Sequence, residues 1–139
     1  MKVLIDTNVV MDALINREPW ADAAQEILRA VAMEKIKGYI IASQTTDIFY
    51  LLCRQGADKA TAKGIIETLM GSMMVMGVIP DDVNNALASD MLDYEDGLLA
   101  CCAKRQKAEY IVTRNEKDFK ESPVPAISPQ TFLERFFPA

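Results

Sequence analysis

The hydrophobic pattern along this chain alternates between two periods. Val3-Leu4-Ile5 is an unbroken apolar run that stops abruptly on Asp6-Thr7-Asn8, the mark of a strand covered on both faces. Runs of the same kind recur at Tyr39 to Ala42, at Val75 to Ile79 before Pro80, at Tyr110 to Thr113 and, shorter, at Val124 to Ile127. Between them the apolar positions fall three and four apart. They predict helices over Val9 to Leu14, Trp20 to Lys35, Ser43 to Gly56, Asp58 to Met74, Asp81 or Asp82 to Met91, Asp93 to Lys107, and from Pro129 onward. Gly38 reads as a C-cap, and Ser43, Asp58, Asp93 and Ser128 read as N-caps. Helices filling every crossover predict an α/β fold of three layers, α/β/α, around a central parallel sheet of four to five strands. No linker, repeat or low-complexity stretch interrupts residues 1–139, so a single domain is expected.

Composition then narrows the chemistry. Histidine is absent, which removes imidazole bases, Ser-His and Cys-His nucleophile pairs and His-bound zinc together. Any catalysis must run on carboxylates, hydroxyls, lysine or a metal held through oxygen. Twenty acidic residues against fifteen basic ones leave a net charge of −5. That balance is unlike a free-standing nucleic-acid binder unless bound cations and a local basic patch do the neutralising. Cys53, Cys101 and Cys102 lack Cys-x-x-Cys spacing and read as small apolar residues in a reducing compartment. With no charged-then-apolar leader and no long apolar run, a cytoplasmic protein that does not span a membrane is expected.

Four acids stand where the predicted elements converge. Asp6 ends the first strand, and in open α/β sheets ligands gather outside the carboxyl ends of strands. It is equally a good N-cap for the helix that follows. Asp47 lies inside a helix among Thr46, Ile48, Phe49 and Tyr50, a poor place for aspartate unless it faces a crevice or the solvated edge of the stripe. Asp93 and Asp96 stand in capping-box relation with Glu95 between them, ahead of Gly97-Leu98-Leu99-Ala100, so helix-start electrostatics alone would also account for them. The segment Thr113 to Phe119, with Asp118 in it, leaves the fourth strand toward the Asp6 crevice or is an ordinary polar loop. Crowded carboxylates repel one another unless a cation compensates, and an all-oxygen set favours Mg²⁺ or Mn²⁺ over zinc. Arg114, Lys117 and Lys120, with Lys104, Arg105 and Lys107, are candidate phosphate contacts or ordinary helix-end and surface cations.

Taken in order, Leu4-Ile5-Asp6-Thr7-Asn8, Ser43 to Asp47, Asp96 with Leu98-Leu99-Ala100, and Val112-Thr113-Arg114-Asn115 with Asp118-Phe119 resemble the PIN domain family, which includes the VapC-type ribonuclease toxins. The resemblance spans almost the whole chain. It implies a Mg²⁺- or Mn²⁺-dependent endoribonuclease in which Asp6, Asp47, Asp96 and Asp118 are the catalytic carboxylates and metal ligands. Thr7, Asn8, Thr113 and Asn115 would orient carboxylates or water, and Arg114 would bind substrate. The second acid of the family is usually glutamate, so Asp47 has a shorter reach. The last acid falls at Asp118 or Asn115, and Asp118 is preferred. The resemblance also implies an RNA substrate, an inhibitory antitoxin protein and a homodimer. Met70, Met73, Met74 and Met76 would serve such contacts, or simply fill the core.

Three rivals remain in view. A phosphatase with a nucleophilic aspartate wants Asp-x-Asp followed by Gly and Thr, where this chain has Asp6-Thr7-Asn8-Val9-Val10. A phospho-accepting receiver domain needs an Asp after the third strand and a Lys after the last, which Pro80-Asp81 and Val124 to Pro129 supply poorly. The non-enzymatic rival is a PIN-like module without activity that binds RNA or protein.

Overall fold

In the computed structural model, which describes residues 1–138, five strands form one sheet. They are β1 (Lys2–Ile5), β2 (Lys37–Ile41), β3 (Met74–Met76), β4 (Tyr110–Val112) and β5 (Ala126–Ile127), ordered β3-β2-β1-β4-β5 with every neighbouring pair parallel. The helices are α1 (Thr7–Leu14), α2 (Ala21–Ala32), α3 (Ala42–Arg54), α4 (Lys59–Met70), α5 (Pro80–Ala88), α6 (Tyr94–Arg105) and α7 (Pro129–Phe136), with a short 3-10 helix at Glu116–Phe119. The three-layer α/β/α expectation is met.

Strand alternation divides the core in two. Val3, Ile5, Ile40 and Val112 point to one face of the sheet, where they join Val9 and Val10 of α1, Ile27 of α2, Ile48 and Leu52 of α3 and Phe132 of α7. Leu4, Ile41 and Ile111 point to the other, against Leu99, Ala100, Cys102 and Ala103 of α6. Burying each large side chain of this kind contributes about 1.5–3 kcal/mol. The order of strands reverses between β1 and β4, and crevices form at such reversals, outside the carboxyl ends of the strands.

Several boundaries depart from the expected ones, each for a local reason. Gly38 is not a C-cap: α2 ends at Ala32, Glu34 takes the positive φ of 59°, and Gly38 lies in β2 opposite Val3. A Cβ at Gly38 would fall 2.6 Å from Cγ2 of Val31, so the glycine is what lets α2 lie close on the sheet. The third strand ends at Met76, since that residue pairs with Ile41, the last residue of β2, and nothing beyond it remains to pair with. Ser43 is not the N-cap of α3. The helix starts at Ala42 with Ile41 as its N-cap, two residues earlier, and the Gln44 side chain accepts from the Ile41 N–H at 2.7 Å. Pro80 opens α5, with Asp82 accepting from the Ile79 N–H at 2.9 Å, and the helix stops at Ala88.

Asp82 also joins α5 to α6. Its buried carboxylate accepts from Nε of Arg105 at 2.9 Å, while the guanidinium donates to the Gly77 carbonyl at 2.7 Å. Burial alone would raise the Asp82 carboxyl, but Arg105, the Ile79 N–H and the Cys102 thiol together hold it below its ordinary value. Burial and the neighbouring Asp82 push the Cys102 thiol up to about 12, so it is an inert core group. None of the described helices is long and apolar enough to cross a membrane.

Candidate functional site

Asp6 sits where β1 gives way to α1, at the reversal of strand order. Its backbone is extended, with φ −67° and ψ 150°, which turns the chain into the helix while the carboxylate stays at the sheet edge. Oδ1 accepts from the Thr7 N–H at 2.7 Å and Oδ2 accepts from the Thr113 hydroxyl at 2.8 Å. Nδ2 of Asn8 makes long contacts to Asp6 Oδ2 and to Thr113 Oγ1, at 3.4 and 3.5 Å. Thr113, fully buried just beyond β4, also accepts from the Asn115 N–H at 3.0 Å. The Asn8 amide oxygen accepts from the Arg114 N–H at 3.3 Å. Thr7, Asn8, Thr113 and Asn115 thus form one hydrogen-bonded frame around the first aspartate, Asn115 through its backbone.

The electrostatics bring the distant acids to the same crevice. Burial raises the Asp6 carboxyl above its ordinary value despite the donors from Thr113 and Thr7, and Asp118 raises it further while Arg114 opposes. Asp96, half-buried in the first turn of α6, is pushed up to about 7, first by burial and then by Asp6, Asp93, Asp118 and Glu95. Asp118 is exposed on the 3-10 helix, where its N–H reaches the Asn115 carbonyl at 3.0 Å. Asp47, half-buried in α3, enters through Glu95. That glutamate is exposed on its outer side, yet it is raised by the protein packed about its carboxyl and then by Asp47, Asp93 and Asp6.

Asp6 and Asp118 thus both act on Asp96, while Asp47 acts on Glu95, which Asp6 and Asp93 also reach. The acids do not close into a cage: among the described residues, no three acidic or cysteine side chains lie close enough together to hold an ion by themselves. The two findings agree if the carboxylates line an open crevice and repel across it. Magnesium does not need a closed cage, since it keeps several waters and takes one or two carboxylates from a protein. The donor set fits a hard cation, being carboxylate, amide and hydroxyl oxygen throughout, with uncompensated negative charge at its centre.

Two buried groups, Gln44 and Asp12, are absent from the sequence expectations, where Glu95 enters only as a companion of Asp93 and Asp96. Gln44 donates to the Ile5 carbonyl at 2.9 Å and to the Thr7 hydroxyl at 3.1 Å, locking the ends of β1 and β2 together. Asp12, fully buried in α1, takes a two-pronged contact from Arg114, with Nε at 2.6 Å, and a longer one from Arg17 at 3.3 Å. The Arg114 guanidinium also lies 4.0 Å from the ring centre of Trp20. Asp12 carried a partial signal, standing among Val9, Met11, Ala13 and Ile15, whereas Gln44, between Ser43 and Thr45, carried none. Glu95 carried no signal apart from its place beside Asp96.

The sequence profile of the PIN domain matches residues 2–117. No curated relative matches the sequence. Among solved structures, VapBC2 from Rickettsia felis, bound to a DNA fragment from its promoter, is similar at a TM-score of 0.71 and 18% identity, over 92% of this chain and 98% of that one. A toxin-antitoxin complex from Klebsiella pneumoniae is similar at a TM-score of 0.69 and 21% identity, over 91% and 97%. VapBC-1 from nontypeable Haemophilus influenzae is similar at a TM-score of 0.71 and 15% identity, over 94% and 99%. At these identities the likeness is one of fold. The profile match over most of the chain goes further: this protein belongs to the PIN domain family.

Proposed function

We propose that this chain is an endoribonuclease dependent on Mg²⁺ or Mn²⁺, the toxin of a toxin-antitoxin pair, folded as one unit over residues 1–139. The observation that carries the reading is the coupling of Asp6 with Asp96. These two carboxylates come from distant parts of the chain; Asp96 is pushed up to about 7, first by burial and then by Asp6, and Asp6 is itself raised, first by burial and then by Asp118. Such a strained pair is hard to account for as helix capping, which lowers a carboxyl.

In this reading Asp6 and Asp96 hold the ion, with Asp47 and Asp118 completing its surroundings. When bound, the ion supplies an activated water and offsets charge on the phosphodiester. Thr113 and the Thr7 N–H fix both oxygens of Asp6, so the carboxylate is aimed before any ligand arrives. Asn8 carries that order to the backbone of Arg114, and Gln44 keeps Thr7 in place. Arg114 offers positive charge at the rim for the substrate phosphate. An antitoxin partner is proposed because solved structures of this fold include toxin-antitoxin complexes, and a homodimer is proposed with it from the family resemblance alone.

The test is cleavage of single-stranded RNA by purified protein with Mg²⁺ or Mn²⁺, abolished by EDTA and by Asp6→Asn. Activity surviving in Asp6→Asn would remove the site. The open arrangement of the acids and the short side chain of Asp47 favour a second reading, an inactive PIN-like binding module. It predicts RNA binding, or antitoxin binding, without cleavage under any divalent ion.

A further inference from the structure

Beside the carboxylate crevice, and joined to it through Arg114, is a cavity of about 240 Å³ lined by Pro19, Trp20, Arg114, Ser128, Pro129 and Gln130. Its volume is below the roughly 300 Å³ at which drug-sized ligands are held, which is the scale of a single heterocycle. Trp20 stands immediately before α2 and keeps 41% of its surface exposed. The Arg114 guanidinium covers one part of that ring at 4.0 Å. Exposed tryptophan with a stacked arginine is the combination on which unpaired bases lie flat in single-strand binding proteins.

The charges agree. Arg17 and Arg114 both pair with the one carboxylate of Asp12, so this trio keeps a net positive charge in a chain whose overall charge is negative. It stands beside an acid crevice that would otherwise repel a polyanion. The connection agrees too, since the backbone N–H of Arg114 bonds the Asn8 amide oxygen, and the Asn8 amide nitrogen reaches the Asp6 carboxylate. We infer that the Trp20–Arg114 cavity is a nucleobase subsite, which stacks one unpaired base of an RNA strand next to the phosphate presented to the carboxylates. The inference rests on the nuclease reading for its substrate, but it concerns binding and is tested apart from cleavage.

Trp20 is the sole tryptophan of the chain, so its emission reports on this cavity alone. The experiment titrates the Asp6→Asn protein with a short single-stranded RNA, and separately with inorganic phosphate, and follows fluorescence. Saturable quenching by RNA and none by phosphate is expected. In the otherwise unaltered protein, Trp20→Leu keeps apolar cover on Arg114 without an aromatic face and should weaken RNA binding roughly 5- to 100-fold, seen as a rise in KM. Trp20→Phe should restore most of it. Thermal melts check that both variants fold. Cleavage by the wild type with emission unchanged by RNA and KM indifferent to Trp20→Leu overturns the subsite and leaves the nuclease intact. Quenching by RNA without cleavage supports the subsite while the nuclease reading falls. Quenching by an antitoxin segment but not by RNA overturns it in favour of a protein ligand.

Discussion

Thr113 Oγ1 donates to Asp6 Oδ2 at 2.8 Å, a bond between residues 107 apart in sequence that ties the ends of β1 and β4 together at the reversal of the sheet. Thr113→Val keeps shape and removes the hydroxyl. It also strands the Asn115 N–H, which that hydroxyl accepts. The expected cost is about 1–3 kcal/mol in denaturant unfolding, with cleavage or metal affinity down roughly 10–100-fold. Thr113→Ser should recover both. A Thr113→Val protein with unchanged activity would mean that Asp6 needs no such support.

Asp96 sets a pH dependence for the metal-free protein. Its folded carboxyl is pushed up to about 7, above the ordinary value of 3.8, so the fold binds this proton more readily than the unfolded chain does. The resulting stabilisation is complete below the ordinary value and is lost as pH rises through about 7. Unfolding in EDTA at a series of pH values between 4 and 8 should therefore show stability declining toward the upper end as far as this group is concerned. Asp96→Asn should flatten the decline, and an identical slope in the variant would refute the coupling.

Divalent ions should relieve the same repulsion. A ligand that binds only the native state stabilises it by about 2.7 kcal/mol at a hundred times its dissociation constant. For a chain near this size that corresponds to roughly 5–10 °C in Tm. Mg²⁺ titrated into the wild type should produce such a rise, and Asp6→Asn or Asp96→Asn should shrink it. A melting temperature indifferent to Mg²⁺ and Mn²⁺ would argue for the inactive binding module.

Away from the site, Gly38→Ala tests the approach of α2 to the sheet. The added methyl would lie 2.6 Å from a branched, buried neighbour, Val31, and should destabilise by about 1–3 kcal/mol. Val31→Ala alone creates a cavity, but combined with Gly38→Ala it should cost less than the two changes summed. Strict additivity would show that the clash is relieved elsewhere.

These cases also mark what the sequence could and could not tell. Val3-Leu4-Ile5 ending on Asp6 was readable because a buried parallel strand has no polar alternation and its end is an address in the fold. Asp6 and Asp96 were readable as candidates for the same reason, one at the end of a strand and one at the start of a helix, while Asp47 stood out of place in a helix and Asp118 was marked only by the family pattern. Gly38 was misread because a close crossing between α2 and β2 leaves no trace in either segment alone. The limits of β3 depend on where β2 ends, and the role of Glu95 on where α3 lies beside α6. Arg114 was readable as a cation near the site, whereas its engagement with Asp12 and Trp20 joins three segments that the pattern does not relate.

Because β4 lies beside β1 and not beside β3, its nearer neighbour in sequence, the crevice has an order of assembly written into it. Asp6 and Asp47 are made well before Thr113, and without β4 one wall of the crevice is missing. The crevice cannot close until the chain has been made through β4. For a protein proposed to cut RNA, a chain that stops short of β4 would lack Thr113, the hydroxyl that holds the first aspartate.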